Sequence, residues 1–218
     1  GDSYSKSSDG DTWVAHLGRR LRRSEPRVKP SIYNLAFPGA TAEYDLVAQV
    51  SCFYGMYSTQ KASSSRPSFF LQTADTRSGE DVQYVPFSCV NIAVHDLYAK
   101  AYARYFVLVE VPPIDRSLQA MGLETSDRVR EHVAAHAWND LLHAQAAECR
   151  ESAAEASAAM LSSRHLVLAR MPNDPEEYEF YEDDTIDEGG RIWLDELHLT
   201  SKVDDILAEE IVTLLVQL

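Results

Sequence analysis

Apolar runs alternate with helical patterns along this chain, and that alternation limits its fold more than any other feature. It is typical of parallel strands that are covered by helices on both faces of the sheet. The clearest strand is Tyr105–Val111, which ends at Pro112-Pro113 because proline cannot donate a hydrogen bond to a sheet ladder. We therefore expect an α/β protein with three layers, α/β/α, built on a short parallel sheet, and we treat residues 1–218 as a single domain.

The remaining elements are predicted from local patterns. Three further strands are expected: Ile32–Phe37, which ends at Pro38-Gly39, the short Phe69–Leu71, and Leu166–Ala169. Helices are expected from Trp13, after Asp45, from about Val90 to Tyr102, from Asp127 to Ala159, and from Val203 to Leu215. Thr200 or Ser201 is placed to cap the start of the last helix.

Size, composition and charge exclude several classes of protein. With 218 residues, 45% of them hydrophobic, the chain can bury the core of one globular domain. The net charge of −14 disfavours nucleic acid and anionic membranes as partners, and no apolar stretch is long enough to span a bilayer. Residues 174–190 are strongly acidic, and we expect them to form a solvated, mobile surface loop.

Metal and thiol chemistry find little support in the sequence. Cys52, Cys89 and Cys149 fit no zinc-binding spacing, and we expect structural thiols, with a single disulfide left open. His132 and His136 are four residues apart in a predicted helix, but the glutamate of the H-E-x-x-H metal motif is absent between them. We therefore expect no metal and no cofactor.

The segment Asp195-Glu196-Leu197-His198 places a carboxylate three positions before a histidine. One short turn can then bring the acid to the imidazole Nδ1–H and leave Nε2 free as a base. The chain begins with Gly1-Asp2-Ser3, and this serine would supply a nucleophile. Either fragment alone is weak, because both occur by chance. Their order at opposite ends of one domain-sized chain indicates a serine hydrolase.

Further segments between these two ends match one superfamily. They are Asn34–Thr41 with its Phe-Pro-Gly-Ala-Thr turn, Val94–Tyr98, Ala103–Val109, Pro112–Arg116, and Trp193-Leu194 directly before Asp195. Together with the two fragments above, they resemble the SGNH (GDSL-type) hydrolases, most closely the fungal carbohydrate-esterase branch. The resemblance extends from residue 1 to the last helix, and it implies a flavodoxin-like arrangement of the sheet.

The resemblance also implies roles for individual residues. Ser3 would be the nucleophile and would give its backbone N–H to the oxyanion, and Gly39 would give a second backbone N–H. His198 would be the general base, and Asp195 would orient it. The implied activity is hydrolysis of small acyl esters, with acetyl groups on plant-cell-wall sugars as the expected substrate, by a monomer without a cofactor. Family members are often secreted, but the sequence leaves the compartment of this chain undetermined.

Two departures from the family pattern leave an alternative function open. The family's Gly-x-Asn-Asp block, whose asparagine donates to the oxyanion, is missing where the chain reads Gln72–Gly79, and Asn91 falls in a predicted helix. The strand that should carry Ser3 is missing as well. We therefore expect either a truncated or mis-spliced gene product, with residues 72–88 foreign to the family, or a natural divergent member. Because loss of one oxyanion donor costs about 100–1000-fold in turnover, the alternative is an impaired or inactive SGNH-fold protein that binds glycans or proteins.

Overall fold

The sheet has three strands in the part of the chain that the computed structural model describes, which is residues 3–6, 11–24, 32–59, 68–72, 84–152, 157–161 and 168–217. The strands are β1 (Ser68–Gln72), β2 (Tyr105–Val109) and β3 (Ser157–Leu161), and both neighbouring pairs are parallel. β2 lies in the centre, between β1 and β3. Phe106 of β2 is in register with Phe69 of β1 and with Ala158 of β3.

Helices connect the strands and follow the sheet. They are α1 (Trp13–Ser24), α2 (Leu46–Thr59), α3 (Tyr84–Lys100), α4 (Leu118–Met121), α5 (Thr125–Ser152) and α6 (Ser201–Gln217). Short 3-10 helices span Ile114–Arg116, Pro175–Tyr178 and Glu182–Thr185. None of the described helices is both long enough and apolar enough to cross a membrane.

The apolar residues of β2 alternate between two cores, because successive side chains of a strand point to opposite faces of the sheet. Phe106 and Leu108 pack with residues of α2, α3 and α5, whereas Val107 and Val109 pack with residues of α1 and α6. All four side chains are almost completely buried, and each burial stabilises the fold by about 1.5–3 kcal/mol. Helices therefore cover both faces of the sheet, and the prediction of a mixed α/β protein is confirmed.

Several of the local predictions are also confirmed. β1 and β2 lie where the two apolar runs predicted them, and β2 ends before Pro112-Pro113. Helices follow Trp13 and Asp45 as expected, and Asn91 lies inside α3. Of the segment 72–88, residues 73–83 lie outside the described residues, and residues 84–88 form the first turn of α3.

The predicted strand Ile32–Phe37 is wrong, because these residues form an irregular segment. The side chain of Asn34 accounts for this. Its Oδ1 accepts from the backbone N–H of Ala36 at 3.1 Å, and its Nδ2 donates to the backbone oxygen of Ser5 at 2.6 Å. Such local bonds offer the backbone an alternative to a sheet ladder.

The predictions between α5 and α6 also need correction. The helix expected to reach Ala159 ends at Ser152, and Ala159 lies in β3, where it pairs with Val107. The strand expected at Leu166–Ala169 is wrong in its described part, since residues 168–170 are helical. Residues 166 and 167 lie outside the described residues. For Ala159, pairing with the open edge of β2 outweighs the high helix propensity of the alanine-rich sequence around it.

The acidic segment 174–190 is more than a solvated loop. It contains two 3-10 helices, and its Phe180 is almost completely buried against Val203 and other members of the α1–α6 core. Asp184 accepts from the backbone N–H of Tyr181 at 2.8 Å, and Trp193 Nε1 donates to the backbone oxygen of Thr185 at 3.0 Å. The bond from Trp193 attaches the segment to the loop that carries Asp195 and His198.

Candidate active site

The loop between Trp193 and Leu199 is a closed turn that brings its acid and its imidazole together. Trp193 and Leu199 form an antiparallel bridge, and the backbone N–H of Leu194 donates to the backbone oxygen of His198 at 2.8 Å. Both ends of the loop are also buried in the core beside α1 and α6. The four residues Asp195–His198 are therefore confined to one turn, as their spacing predicts.

Asp195 holds this turn through both of its carboxylate oxygens. Oδ1 accepts from the backbone N–H groups of Leu197 and His198, at 2.8 and 2.6 Å. Oδ2 lies 2.8 Å from Nδ1 of His198. Burial pushes the pKa of Asp195 upward, but the hydrogen bonds from the backbone and from the imidazole outweigh it and lower the pKa. The carboxylate is therefore charged at neutral pH and can hold a proton on Nδ1.

The other ring nitrogen of His198 is buried and has no hydrogen-bond partner among the described residues. The ring of Tyr4 packs beside the imidazole ring, with 5.6 Å between the two ring centroids. The hydroxyl of Tyr4 also donates to the backbone oxygen of Leu197 at 3.4 Å. The beginning and the end of the chain thus meet at His198, as the sequence predicts, and the contact is made by Tyr4.

Ser3 is half-buried and precedes Tyr4 in the same turn. Its hydroxyl does not hydrogen-bond to Nε2 of His198, since that nitrogen has no partner within the described part of the chain. The turn is fixed through Ser5, whose backbone oxygen accepts from Thr12 Oγ1 at 2.9 Å and from Asn34 Nδ2 at 2.6 Å. Gly1 and Asp2 of the predicted motif lie outside the described residues.

Gly39 lies on an exposed turn that is closed by a 3.2 Å bond from the backbone N–H of Ala40 to the backbone oxygen of Phe37. Its φ is +76°, a conformation that favours glycine. Asn34, in the segment that leads to this turn, connects it to Ser5. The oxyanion role of Gly39 remains a prediction.

A small cavity borders the loop of His198 and has room for roughly one water molecule. It lies just beyond the carboxyl end of β2, where ligands of open parallel sheets bind. Its lining residues are Tyr4, Pro112, Pro113, Ile114, Ser117, Leu168, Trp193, Leu197 and Leu199. No sequence pattern indicated a role for Tyr4 or Leu197 here, although the prolines after the clearest strand could have indicated this edge.

Thiol and metal chemistry remain without support from the geometry. All three cysteines are described and free, and burial raises the pKa of the Cys89 and Cys149 thiols, which disfavours the reactive thiolate. His132 Nδ1 lies 2.9 Å from a carboxylate oxygen of Asp115, and its ring centroid is 4.3 Å from that of His136. Within the described ranges, no three His, Cys, Asp or Glu side chains are grouped so that they could hold a metal ion.

Comparison with known proteins adds no assignment. No protein-family model matches the chain, and no curated protein is significantly similar to it.

Proposed function

We propose that this protein is a serine esterase of the SGNH type, which hydrolyses small acyl esters, acetyl esters of carbohydrates among them. One observation carries the proposal: Asp195 holds Nδ1 of His198, and the other nitrogen of the ring is left without a partner among the described residues. An imidazole held in this way is prepared to act as a general base. A parallel sheet with helices on both faces is consistent with the proposed superfamily.

The proposed reaction passes through an acyl-enzyme. Ser3 Oγ attacks the ester carbonyl carbon while Nε2 of His198 takes the hydroxyl proton, and Asp195 stabilises the imidazolium that results. The backbone N–H groups of Ser3 and Gly39 receive the developing oxyanion. His198 then protonates the leaving alcohol, and it next activates a water molecule that hydrolyses the acyl-serine.

The reaction requires a short movement of the opening turn. Tyr4 contacts the His198 ring, and Ser3 directly precedes Tyr4 in the same turn, so a movement of this turn would carry Ser3 with it. Catalytic hydrogen bonds are often long or absent until substrate is bound.

Hydrolysis of p-nitrophenyl acetate and of an acetylated sugar tests the proposal. We expect Ser3→Ala and His198→Ala each to lower kcat by about 1000-fold or more. Ser3→Ala should change the melting temperature little, whereas His198→Ala also loses the contact with Asp195 and should melt at least about 2–4 °C lower. Ser51→Ala is a matched control, because this exposed hydroxyl only donates to Val47 of its own helix. Wild-type turnover in Ser3→Ala would eliminate Ser3 as the nucleophile.

The alternative is an SGNH-fold protein that binds glycans or proteins without hydrolysing them. It is favoured by the absence of the Gly-x-Asn-Asp block and by the lack of a hydrogen bond between Ser3 and His198. Calorimetric titration with an acetylated sugar separates the two functions. Binding without any turnover by the folded wild-type chain would favour the alternative, and turnover that depends on Ser3 would exclude it.

A further inference from the structure

A second arrangement of serine, histidine and aspartate joins α1 to α6, and its three members are not used by the proposed site. Nε2 of His16 lies 2.8 Å from Oγ of Ser201, within hydrogen-bonding distance. Nδ1 of the same ring lies 2.9 Å from Oδ1 of Asp205. His16 and Ser201 are 185 residues apart in sequence, so only the packing of the two helices brings them together.

From this geometry we propose that Ser201, His16 and Asp205 form a second esterolytic site, with Ser201 as nucleophile, His16 as base and Asp205 as the group that orients the base. A catalytic triad is recognised by the distances and roles of its members and not by their order in the chain. Both distances are those expected of a working relay. The corresponding serine contact is absent at His198, whose Nε2 has no partner among the described residues.

The orientation of Asp205 is fixed by a bidentate ion pair. Arg20 Nε lies 2.9 Å from Oδ1 and Arg20 Nη2 lies 2.8 Å from Oδ2. The hydrogen bond from Arg20 is the largest cause that lowers the pKa of Asp205, and His16 contributes in the same direction. An oxygen of a carboxylate has two lone pairs, so Oδ1 can face both Arg20 and Nδ1 of His16.

Arg19 Nη2 competes with Asp205 for Nδ1 of His16, at 3.1 Å. Its guanidinium already has a charged acceptor, Asp11, at 2.7 Å. Both contacts of Nδ1 involve a charged partner, but Oδ1 of Asp205 is the nearer one, at 2.9 Å, and Arg19 is already paired with Asp11. The favoured tautomer therefore carries its proton on Nδ1, and Nε2 accepts from the hydroxyl of Ser201.

Burial and charge indicate the substrate class. The His16 side chain is only 14% exposed, whereas Ser201 is exposed, so a shielded base faces an accessible nucleophile. The nearby guanidinium groups are matched by the carboxylates of Asp11, Asp205 and Glu209, which leaves no excess positive charge to select an anion. The site therefore suits small, uncharged carboxylic esters.

The proposed step balances without any cofactor. Ser201 Oγ forms a bond to the carbonyl carbon as its proton passes to Nε2 of His16, and the bond from that carbon to the alcohol oxygen then breaks. The alcohol leaves with the proton from Nε2. Water next hydrolyses the acyl-serine, so one ester and one water give one acid and one alcohol.

Covalent labelling with a fluorophosphonate ester, followed by peptide mass spectrometry, tests the proposal in the full chain. The experiment uses a Ser3→Ala background, so that labelling at Ser201 does not depend on the site of the proposed function. We expect label on Ser201 and a decrease of about 100-fold or more in its rate in His16→Gln. Ser24 is the internal control, since it is an exposed serine of α1 whose hydroxyl donates only to the backbone of Arg20.

Two results would overturn the proposal. One is a folded chain that takes no label at Ser201, and the other is labelling of Ser201 at the same rate in His16→Gln. If that variant does not fold, diethyl pyrocarbonate modification of the histidines in the Ser3→Ala chain replaces it. Labelling of Ser201 should then stop after modification and return after treatment with hydroxylamine, and labelling that continues after modification would reject the proposal.

Discussion

Replacing Asp195 by asparagine separates the two tasks that its carboxylate performs. Oδ1 accepts from the backbone N–H groups of Leu197 and His198, and Oδ2 contacts Nδ1 of His198. Asparagine has a single acceptor oxygen, and the two backbone donors determine where that oxygen lies. The NH₂ group must then face Nδ1, which can pair with it only as an acceptor. The imidazole proton therefore moves to Nε2.

An imidazole protonated at Nε2 cannot accept the proton of Ser3. A wrong tautomer of this kind costs about 10⁴-fold in kcat in serine proteases, and we expect a decrease of that size in ester hydrolysis here. KM should change little, because the interaction lost belongs to the transition state. The two backbone hydrogen bonds persist, so we expect unfolding to require only about 1 kcal/mol less, which is a decrease of about 2–4 °C in melting temperature.

The assay measures kcat on p-nitrophenyl acetate together with thermal melting of each variant. Asp195→Ala is the matched control, since it removes the backbone hydrogen bonds as well. Because the carboxylate is half-exposed, we expect this control to lose about 2 kcal/mol of stability and about 4–8 °C in melting temperature. A folded Asp195→Asn variant with kcat within about 10-fold of the wild type would refute the role of Asp195 in holding the proton on Nδ1 of His198.

Three further predictions concern stability. The pKa of Asp195 is lowered in the folded chain, so its charge stabilises the fold at pH values above the ordinary aspartate pKa of about 3.9. This stability is lost as the pH falls through the lower pKa of the folded state. The melting temperature of the wild type should therefore decrease more steeply below about pH 4 than that of Asp195→Asn. The buried side chain of Asn139 pairs with both the backbone N–H and the carbonyl of Val111, at 2.9 and 3.1 Å. Asn139→Ala leaves both groups without this partner and should lower the free energy of unfolding, measured by urea denaturation, by about 3 kcal/mol. A decrease of less than about 1 kcal/mol would contradict this account. Gly39→Ala should lower the free energy of unfolding by about 1–2 kcal/mol, because φ is +76° there, and unchanged stability would argue against the left-handed conformation.

The candidate site could be predicted only in part from the sequence. The contact between Asp195 and His198 spans three residues and depends on one closed turn, so its spacing was sufficient. The contact of Tyr4 with His198 joins the two ends of the chain, and the sequence pointed to the neighbouring Ser3 instead. Which side chain of an opening turn faces a distant ring depends on the packing of both segments, and that packing leaves no periodic pattern in the sequence.

Elements with a strong local pattern were determined by the sequence itself. β2 is a run of apolar residues that ends at two prolines, and α1 buries one apolar face with Trp13 and Leu17 four residues apart, so each element is favoured wherever it lies in the fold. Only the tertiary structure decided that Ala159 joins β3, because the free edge of β2 supplies hydrogen bonds that outweigh a helical preference. The contact of His16 with Ser201 was decided in the same way, since two helices far apart in sequence must pack before those side chains can meet.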